Sequence, residues 1–181
     1  MLFSRKRYPR YPKVCINGEE LEYVEQYKYL GVLISSNLSW RPHIENITKR
    51  ATNIFLHCRT MLGRTWGLSP RISKWTYISL IRPILSYASL IWIKGIMIPG
   101  QLKLLEKVQR KACLTILNAM TSTPTAGMEV IINLEPISIF LRAQALTTYI
   151  RLKANGNWKA QPGEVLYRMN HTNLITRVAE Q

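Results

Sequence analysis

The acidic residues of the chain do not form a constellation that could carry out catalysis. Two-metal phosphoryl transfer needs clustered carboxylates that hold ions about 4 Å apart. The ten acidic residues of this 181-residue chain are scattered, and all of them are glutamates. The adjacent pair Glu19-Glu20 flanks a turn signal, and its simplest interpretation is a solvated turn. The sequence therefore predicts no catalytic residue in this chain.

Metal and nucleophile sites of other kinds are also missing from the pattern. The three histidines and three cysteines stand far apart in the sequence, without zinc or redox spacing. Neither a G-x-S-x-G nucleophile motif nor a P-loop occurs. We expect no metal site, no cofactor in this chain and no small-molecule ligand. We expect the cysteines to be free thiols in a reducing compartment.

The chemistry that the composition favours is the binding of a polyanion. The chain holds 25 Lys and Arg against 10 acids, a formal net charge of +15. Surface ion pairs cannot neutralise such an excess, so we expect a nucleic-acid partner first and a membrane surface second. The apolar run 84–98 is shorter than the ~20 residues of a membrane helix. We therefore expect no membrane insertion and, without a secretory leader pattern, a cytoplasmic or nuclear location.

The basic residues fall into three clusters, which we call N-terminal, central and third-helix. Guanidinium and ammonium groups bind phosphates, and tyrosines interleaved in the first cluster can stack on bases. A solvated helix face is the alternative for the third cluster taken alone, but three clusters together favour a nucleic-acid face. The clusters are Arg5, Lys6, Arg7, Arg10 and Lys13; Lys49, Arg50, Arg59, Arg64 and Arg71; and Lys103, Lys107, Arg110 and Lys111.

The elements that must position these clusters begin with strands. Asn17-Gly18 fits a type I′ turn between residues 14–16 and 21–24, which predicts a hairpin. Residues 27–35 alternate aromatic and β-branched side chains, so we expect one strand, partly covered on both faces, that pairs next to the hairpin. Within it, Gly31 predicts a bulge or a close approach of the backbone to another group, such as a phosphate.

Beyond Ser39 the apolar periodicity is helical. We expect helices over 40–62, 70–92, 101–119, 124–132 and 136–154, with Pro83 kinking or splitting the second. The second should bury Ile72, Trp75, Ile78, Leu85 and Trp92, and the last Ile139, Phe140, Ala143, Leu146, Tyr149 and Ile150. The predicted fold class is α+β, mainly helical: a small antiparallel sheet, a hairpin plus one strand, followed by a helical bundle. The predicted regions are 1–38, 39–153 and a linker or weakly ordered tail over 154–181.

Short motifs follow one another in a fixed order along residues 1–153. They include Tyr29-Leu30-Gly31-Val32, Leu38-Ser39-Trp40, residues 62–70, Arg82-Pro83-Ile84-Leu85 and Leu134-Glu135-Pro136-Ile137. This ordered set resembles the end of the palm and the thumb of reverse transcriptases from non-LTR (LINE-type, jockey-like) retrotransposons. The resemblance implies a thumb-like helical bundle after a palm-like β region, in a fragment that lacks the catalytic aspartates.

The resemblance also implies partners and a role. The chain would bind RNA and the RNA–DNA template–primer duplex, with Tyr29 and Gly31 near the primer end, and would join the rest of the polymerase polypeptide. The parent enzyme would use Mg²⁺, and this chain alone would be inactive. Two alternatives stay open: a stand-alone basic helical RNA-binding module, or a helical protein-interaction domain that uses the apolar loop 93–99.

Overall fold

The structure, a computed structural model, describes residues 1, 3, 12–60 and 69–156 of the chain. It confirms a mainly helical α+β protein with small antiparallel sheets at its start. Two compact units are formed, Met1–Ala145 and Leu146–Gln181. The strands are β1 (Cys15–Ile16), β2 (Glu19–Glu20), β3 (Gln26–Tyr29) and β4 (Val32–Ser35). The helices are α1 (Arg41–Thr60), α2 (Pro70–Thr76), α3 (Arg82–Ser86), α4 (Ser89–Trp92), α5 (Pro99–Leu117), α6 (Thr125–Ile131) and α7 (Ile137–Ala154).

The four strands form two separate hairpins. Asn17 and Gly18, at φ 51° and 87°, make the predicted turn between β1 and β2. The single strand predicted over 27–35 is wrong: Leu30 and Gly31, at φ 46° and 83°, reverse the chain there, so that β3 pairs antiparallel with β4. Gly31 is therefore a turn residue rather than a bulge, and the expected three-stranded sheet is replaced by two two-stranded sheets.

One of these strands joins the hairpins to the helices. β4 packs against α1 and buries Val32 and Ser35, whereas all four residues of β3 are exposed. The expectation that both faces of this stretch are covered is thus wrong for its first half. β3 is paired with β4, which makes the contact with α1.

The core forms between α1 and α5, as their apolar stripes predict. α1 buries Ile44, Ile47, Ala51 and Phe55. α5 packs on it and buries the aliphatic and cysteine side chains Leu105, Val108, Ala112, Cys113 and Ile116. Both helices follow the 3.6-residue period closely, because each has a polar face opposite the apolar one.

The second predicted helix differs from the expectation in two ways. A π-helical segment, Tyr77–Ile81, joins α2 to α3, and the Arg82 amide bonds to the Tyr77 carbonyl. Pro83 has no amide proton to give and would crowd the carbonyl four residues back, so a wider turn before it accommodates the ring. The chain breaks not at Pro83 but at Tyr87, whose ψ is 127°, and at Ala88, whose φ is 52°.

The wider turn also changes which side chains are buried. The buried residues of this segment are four positions apart: Ser73, Tyr77, Ile81 and Leu85. The prediction is confirmed for Leu85 and Trp92 but wrong for Ile72, Trp75 and Ile78, and Trp75 is 67% exposed. In the described ranges no single helix is long and apolar enough to cross a membrane. The pair 70–86 and 89–97, bent by 54°, meets those requirements only when both are taken together.

The face of α7 was also predicted only in part. Its buried residues are Ile137, Leu141, Ala145 and Tyr149, of which the sequence predicted the last. Ile139 and Ile150 are about half exposed. Apolar residues occur almost all round this helix, so periodicity alone does not select a face.

A buried arginine connects distant parts of the fold. The Arg82 guanidinium donates to the Glu135 carbonyl and lies 3.5 Å from Gln109 Oε1. Its central carbon lies 4.4 Å from the centre of the Phe140 ring and 5.8 Å from that of Tyr77. The side chain thus extends to the residues just before α7.

Gln109 extends the same network. Its amide donates to Glu129 Oε1 at 2.6 Å and to the Glu135 carbonyl at 3.1 Å, and its carbonyl accepts the Tyr77 hydroxyl at 2.9 Å. Burial raises the pKa of Tyr77, so this phenol remains protonated and keeps donating. The amide links the Arg82 charge to the Glu129 carboxylate, so both charges have polar partners.

Replacing Arg82 by Met should lower the free energy of unfolding by about 3 kcal/mol, because buried acceptors would lose their donor. Arg82→Lys should not keep the parent's free energy of unfolding, since an ammonium group lacks the planar set of donors and the stacking surface of a guanidinium. Urea unfolding followed by circular dichroism measures the loss. The exposed Lys94→Met is the control, with an expected change within about 0.5 kcal/mol. An Arg82→Met chain as stable as the parent would contradict the assignment.

A buried histidine of α1, His43, connects this helix to β4 by a hydrogen bond. The Leu33 amide donates to His43 Nδ1 at 3.2 Å, and the imidazole lies 5.9 Å from the Trp92 ring. His43 Nε2 is buried without a hydrogen-bond partner among the described residues. Burial lowers the pKa of His43, because a charged ring would have no solvent around it.

Stability should therefore fall in acid through His43. Its folded-state pKa lies below the ordinary value of 6.5, so the unfolded chain takes up a proton first. The stabilisation is complete above about pH 6.5 and is lost as the pH falls toward the folded pKa. Urea unfolding at pH 7.5 and 5.0 should show a smaller pH dependence in His43→Leu than in the parent. Equal dependence in both chains would show that His43 does not titrate in this way.

Candidate nucleic-acid interface

The described residues contain part of each predicted basic cluster. Arg5, Lys6, Arg7, Arg10 and Arg64, as well as the Arg59 side chain, lie outside them. Lys13 is described and exposed, and its ammonium lies 3.5 Å from Glu20. Among the described residues the other ion pair joins Arg41 and Glu45 at 2.7 Å. The lysines of α5 take part in neither pair, so they carry uncompensated positive charge at the surface.

The lysines of the third-helix cluster run along the outer side of α5. Lys103, Lys107 and Lys111 are exposed, on the side away from Leu105 and Ala112. Residues four apart on a helix advance by about 40° around its axis, since each residue turns about 100°. The three lysines therefore lie within an arc of about 80° and share one exposed face of α5.

Two grooves flank this lysine row. The first, of about 430 Å³, lies between α5, α6 and the start of α7, and Lys103, Lys107 and Glu129 line it. The second, of about 850 Å³, lies between α1, α2 and α5, and Lys111 and Thr52 are among its lining residues. Positive charge thus borders α5 on both sides, as a surface that follows a phosphate backbone requires.

Arg110 has a different role from the lysines. Its guanidinium donates to the Thr121 carbonyl at 2.5 Å, to the Thr123 carbonyl at 2.9 Å and to Thr125 Oγ1 at 2.6 Å. These bonds close the connection between α5 and α6. Nucleic-acid binding by Arg110 stays a prediction, but a phosphate would have to compete for donors that the fold already uses.

Arg110→Gln should therefore destabilise the protein by about 2 kcal/mol, because several part-buried acceptors lose a charged donor. The neighbouring Lys107→Gln, which changes the charge equally but breaks no described bond, should stay within about 0.5 kcal/mol. Thermal and urea unfolding compare the two. Equal stability of both variants would show that the Arg110 bonds contribute nothing to the fold.

The other predicted contacts lie on α1 and on the second hairpin. Lys49 and Arg50 are exposed on α1, and Lys49 lies one turn before Thr52, which lines the second groove with Lys111. Tyr29 is 59% exposed beside the Leu30-Gly31 turn. Lys111 lines that groove, whereas Lys49 and Tyr29 do not.

The close backbone approach predicted at Gly31 is present, and the group it approaches is a side chain. A Cβ at Gly31 would lie 3.1 Å from Tyr87 Cε1. The Tyr87 hydroxyl donates to the Leu30 carbonyl at 2.9 Å. The contact of Tyr87 with Leu30 was not predicted, because no local pattern shows that residues 57 positions apart meet.

The described residues include potential metal ligands and a buried thiol, Cys113. No group of three or more His, Cys, Asp or Glu residues among them could hold a metal ion. Burial, with Glu129 nearby, raises the pKa of Cys113 to about 11, so its thiol is protonated and is not a nucleophile. The Mg²⁺ that the resemblance implies for a polymerase therefore does not fit the residues described here.

Comparison with curated proteins shows that the chain is similar to proteins of retrotransposable elements. It is 25% identical over 122 residues (67% of this chain) to the retrovirus-related Pol polyprotein from type-1 retrotransposable element R1 of Bradysia coprophila. To a Pol polyprotein from element R1 4 of Nasonia vitripennis it is 25% identical over 147 residues, or 81% of this chain. To the RNA-directed DNA polymerase from mobile element jockey of Drosophila funebris it is 27% identical over 146 residues, also 81%.

These relatives confirm the resemblance that the motifs carry. They are much longer than this chain, which covers 12%, 37% and 16% of their respective lengths. No model of a protein family matches the sequence. No solved structure matches it either.

Proposed function

We propose that this chain is the thumb and connection region of an RNA-directed DNA polymerase from a non-LTR retrotransposon, and that it holds the RNA–DNA template–primer duplex. The observation that carries the proposal is the row of exposed, unpaired lysines on α5, between two grooves. The similarity to polymerase proteins over most of the chain supports it.

The chemistry of the contact follows from these side chains. Lysine ammonium groups attract phosphate oxygens without regard to sequence, and such contacts position a duplex rather than read its bases. A polymerase has to move along any template, so sequence-independent contact suits a thumb. This chain would hold the duplex in position. The carboxylates and Mg²⁺ of the reaction would belong to other parts of a longer protein.

The stand-alone RNA-binding module remains the alternative within the same chemistry. Affinity for an RNA–DNA hybrid relative to single-stranded RNA of equal length separates the two. A thumb should prefer the hybrid, whereas an RNA module should prefer the single strand. A specific observation also favours a protein contact: Ile72 and Trp75 are exposed together on α2. In the proposal they face the rest of the polymerase polypeptide.

The α5 lysines make a quantitative prediction. For duplex DNA, each phosphate contact adds about −0.9 to the slope of log K against log salt. Changing Lys103, Lys107 and Lys111 together to Gln should weaken hybrid binding and flatten that slope by about two to three units if all three touch phosphate. Fluorescence anisotropy at several salt concentrations measures it, with circular dichroism to confirm folding.

A matched control variant tests whether the loss of net charge alone would explain the result. The variant Lys94→Gln, Arg151→Gln and Lys153→Gln removes the same three charges from exposed positions outside the proposed interface. It should change the slope by less than one unit if these side chains do not touch phosphate. If both triple variants lose the same slope, binding reflects overall charge and the α5 interface is wrong.

A further inference from the structure

The two hairpins have the same turn but a different residue at its first central position. Asn17 and Leu30 both have φ near +50°, and each is followed by a glycine at φ above +80°. Asparagine tolerates this left-handed conformation, and Asn-Gly is the preferred type I′ pair. Leucine is a poor residue for it, because its Cβ crowds the following carbonyl. The second turn therefore needs support that its own sequence does not supply.

Tyr87 supplies that support from the break after α3. Its hydroxyl donates to the Leu30 carbonyl at 2.9 Å, and its ring packs against Gly31 so closely that a Cβ there would lie 3.1 Å away. One side chain thus holds both central residues of the turn. The leucine is not a core residue, since it is 74% exposed.

Tyr87 is itself held in place. Its carbonyl accepts the Nε1–H of Trp92 at 2.9 Å, and the Trp92 side chain is fully buried. Tyr87 and Ala88 leave the helical conformation between α3 and α4, which turns the tyrosine toward the hairpin. Buried core, helix break, tyrosine and turn form a continuous series of contacts.

We propose that Tyr87 is a positioning residue for nucleic-acid binding: it holds the β3–β4 turn in one orientation and so fixes the exposed Tyr27, Lys28 and Tyr29 of β3, whose rings and charge suit a nucleic acid. The proposal rests on the proposed function. Without the anchor, the turn would sample other conformations, and the apparent affinity would fall by the fraction of molecules that are competent to bind.

The test uses Tyr87→Phe in the full chain, because this change keeps the ring and removes only the hydroxyl. The probe is an RNA–DNA hybrid with a recessed DNA 3′ end. The variant should keep its helical circular dichroism and bind about 3- to 10-fold more weakly, the range that one net hydrogen bond allows. Hydrogen exchange at the amides of residues 29–33 should accelerate in the free protein.

A rescue separates positioning from direct contact. Adding Leu30→Asn to Tyr87→Phe creates an Asn-Gly pair, which favours the same turn without the anchor, and should restore most of the lost affinity. If the Tyr87 hydroxyl touched the nucleic acid itself, Leu30→Asn would restore nothing. Tyr77→Phe is the matched control: it removes a buried tyrosine hydroxyl from the core, so it should lower the melting temperature and leave hybrid affinity unchanged.

The outcomes separate this inference from the proposed function. If the parent chain does not bind the hybrid, the proposed function fails and the inference fails with it. If the parent binds and Tyr87→Phe binds equally well, the inference alone is overturned. Loss of the folded spectrum in Tyr87→Phe would show that the residue serves folding rather than positioning, and would also overturn it, as would an affinity that Leu30→Asn does not restore.

Discussion

The charge of Arg82, held inside the protein, is the constraint on which the helical arrangement depends. A buried guanidinium without hydrogen-bond acceptors loses more free energy of hydration than its packing contributes. Here the acceptors are the Glu135 carbonyl and Gln109, and Phe140 and Tyr77 provide aromatic surface. These groups come from the π segment, from α5 and from the start of α7. Their relative positions are consequently fixed by one side chain.

Strong local signals allowed much of the fold to be predicted. The apolar stripes of α1 and α5 follow a 3.6-residue period against a polar face, and Asn17-Gly18 carries its turn geometry in its residue types. The buried face of the second helix was predicted wrongly in part, because its π segment changes the number of residues per turn ahead of Pro83. Tyr77 is therefore buried, whereas burial had been predicted for Trp75. On α7 the period selects no face, because apolar residues surround the helix.

The candidate interface was likewise predicted from the sequence only in part. Composition and spacing revealed the positive charge, and they identified Lys103, Lys107 and Lys111 as residues away from the core. They could not show that Arg110 is engaged by the loop after α5, since two of its three acceptors are carbonyls, which every residue has. The contact of Tyr87 with Leu30 was hidden for a related reason. It joins residues 57 positions apart, and the sequence alone does not show that Leu30 lies in a left-handed turn.

The cysteines differ in accessibility in a way that affects how the protein can be labelled. Cys15 is exposed on β1, whereas Cys113 is buried in α5 with a pKa of about 11. At pH 8 only about one Cys113 thiol in a thousand is ionised, and thiolate is the form that alkylating reagents attack. While the protein is folded, a maleimide dye therefore reacts with the exposed Cys15 and more slowly with the half-buried Cys58, but not with Cys113. Later modification of Cys113 reports opening of the core, so the native chain already carries a surface probe and an unfolding sensor.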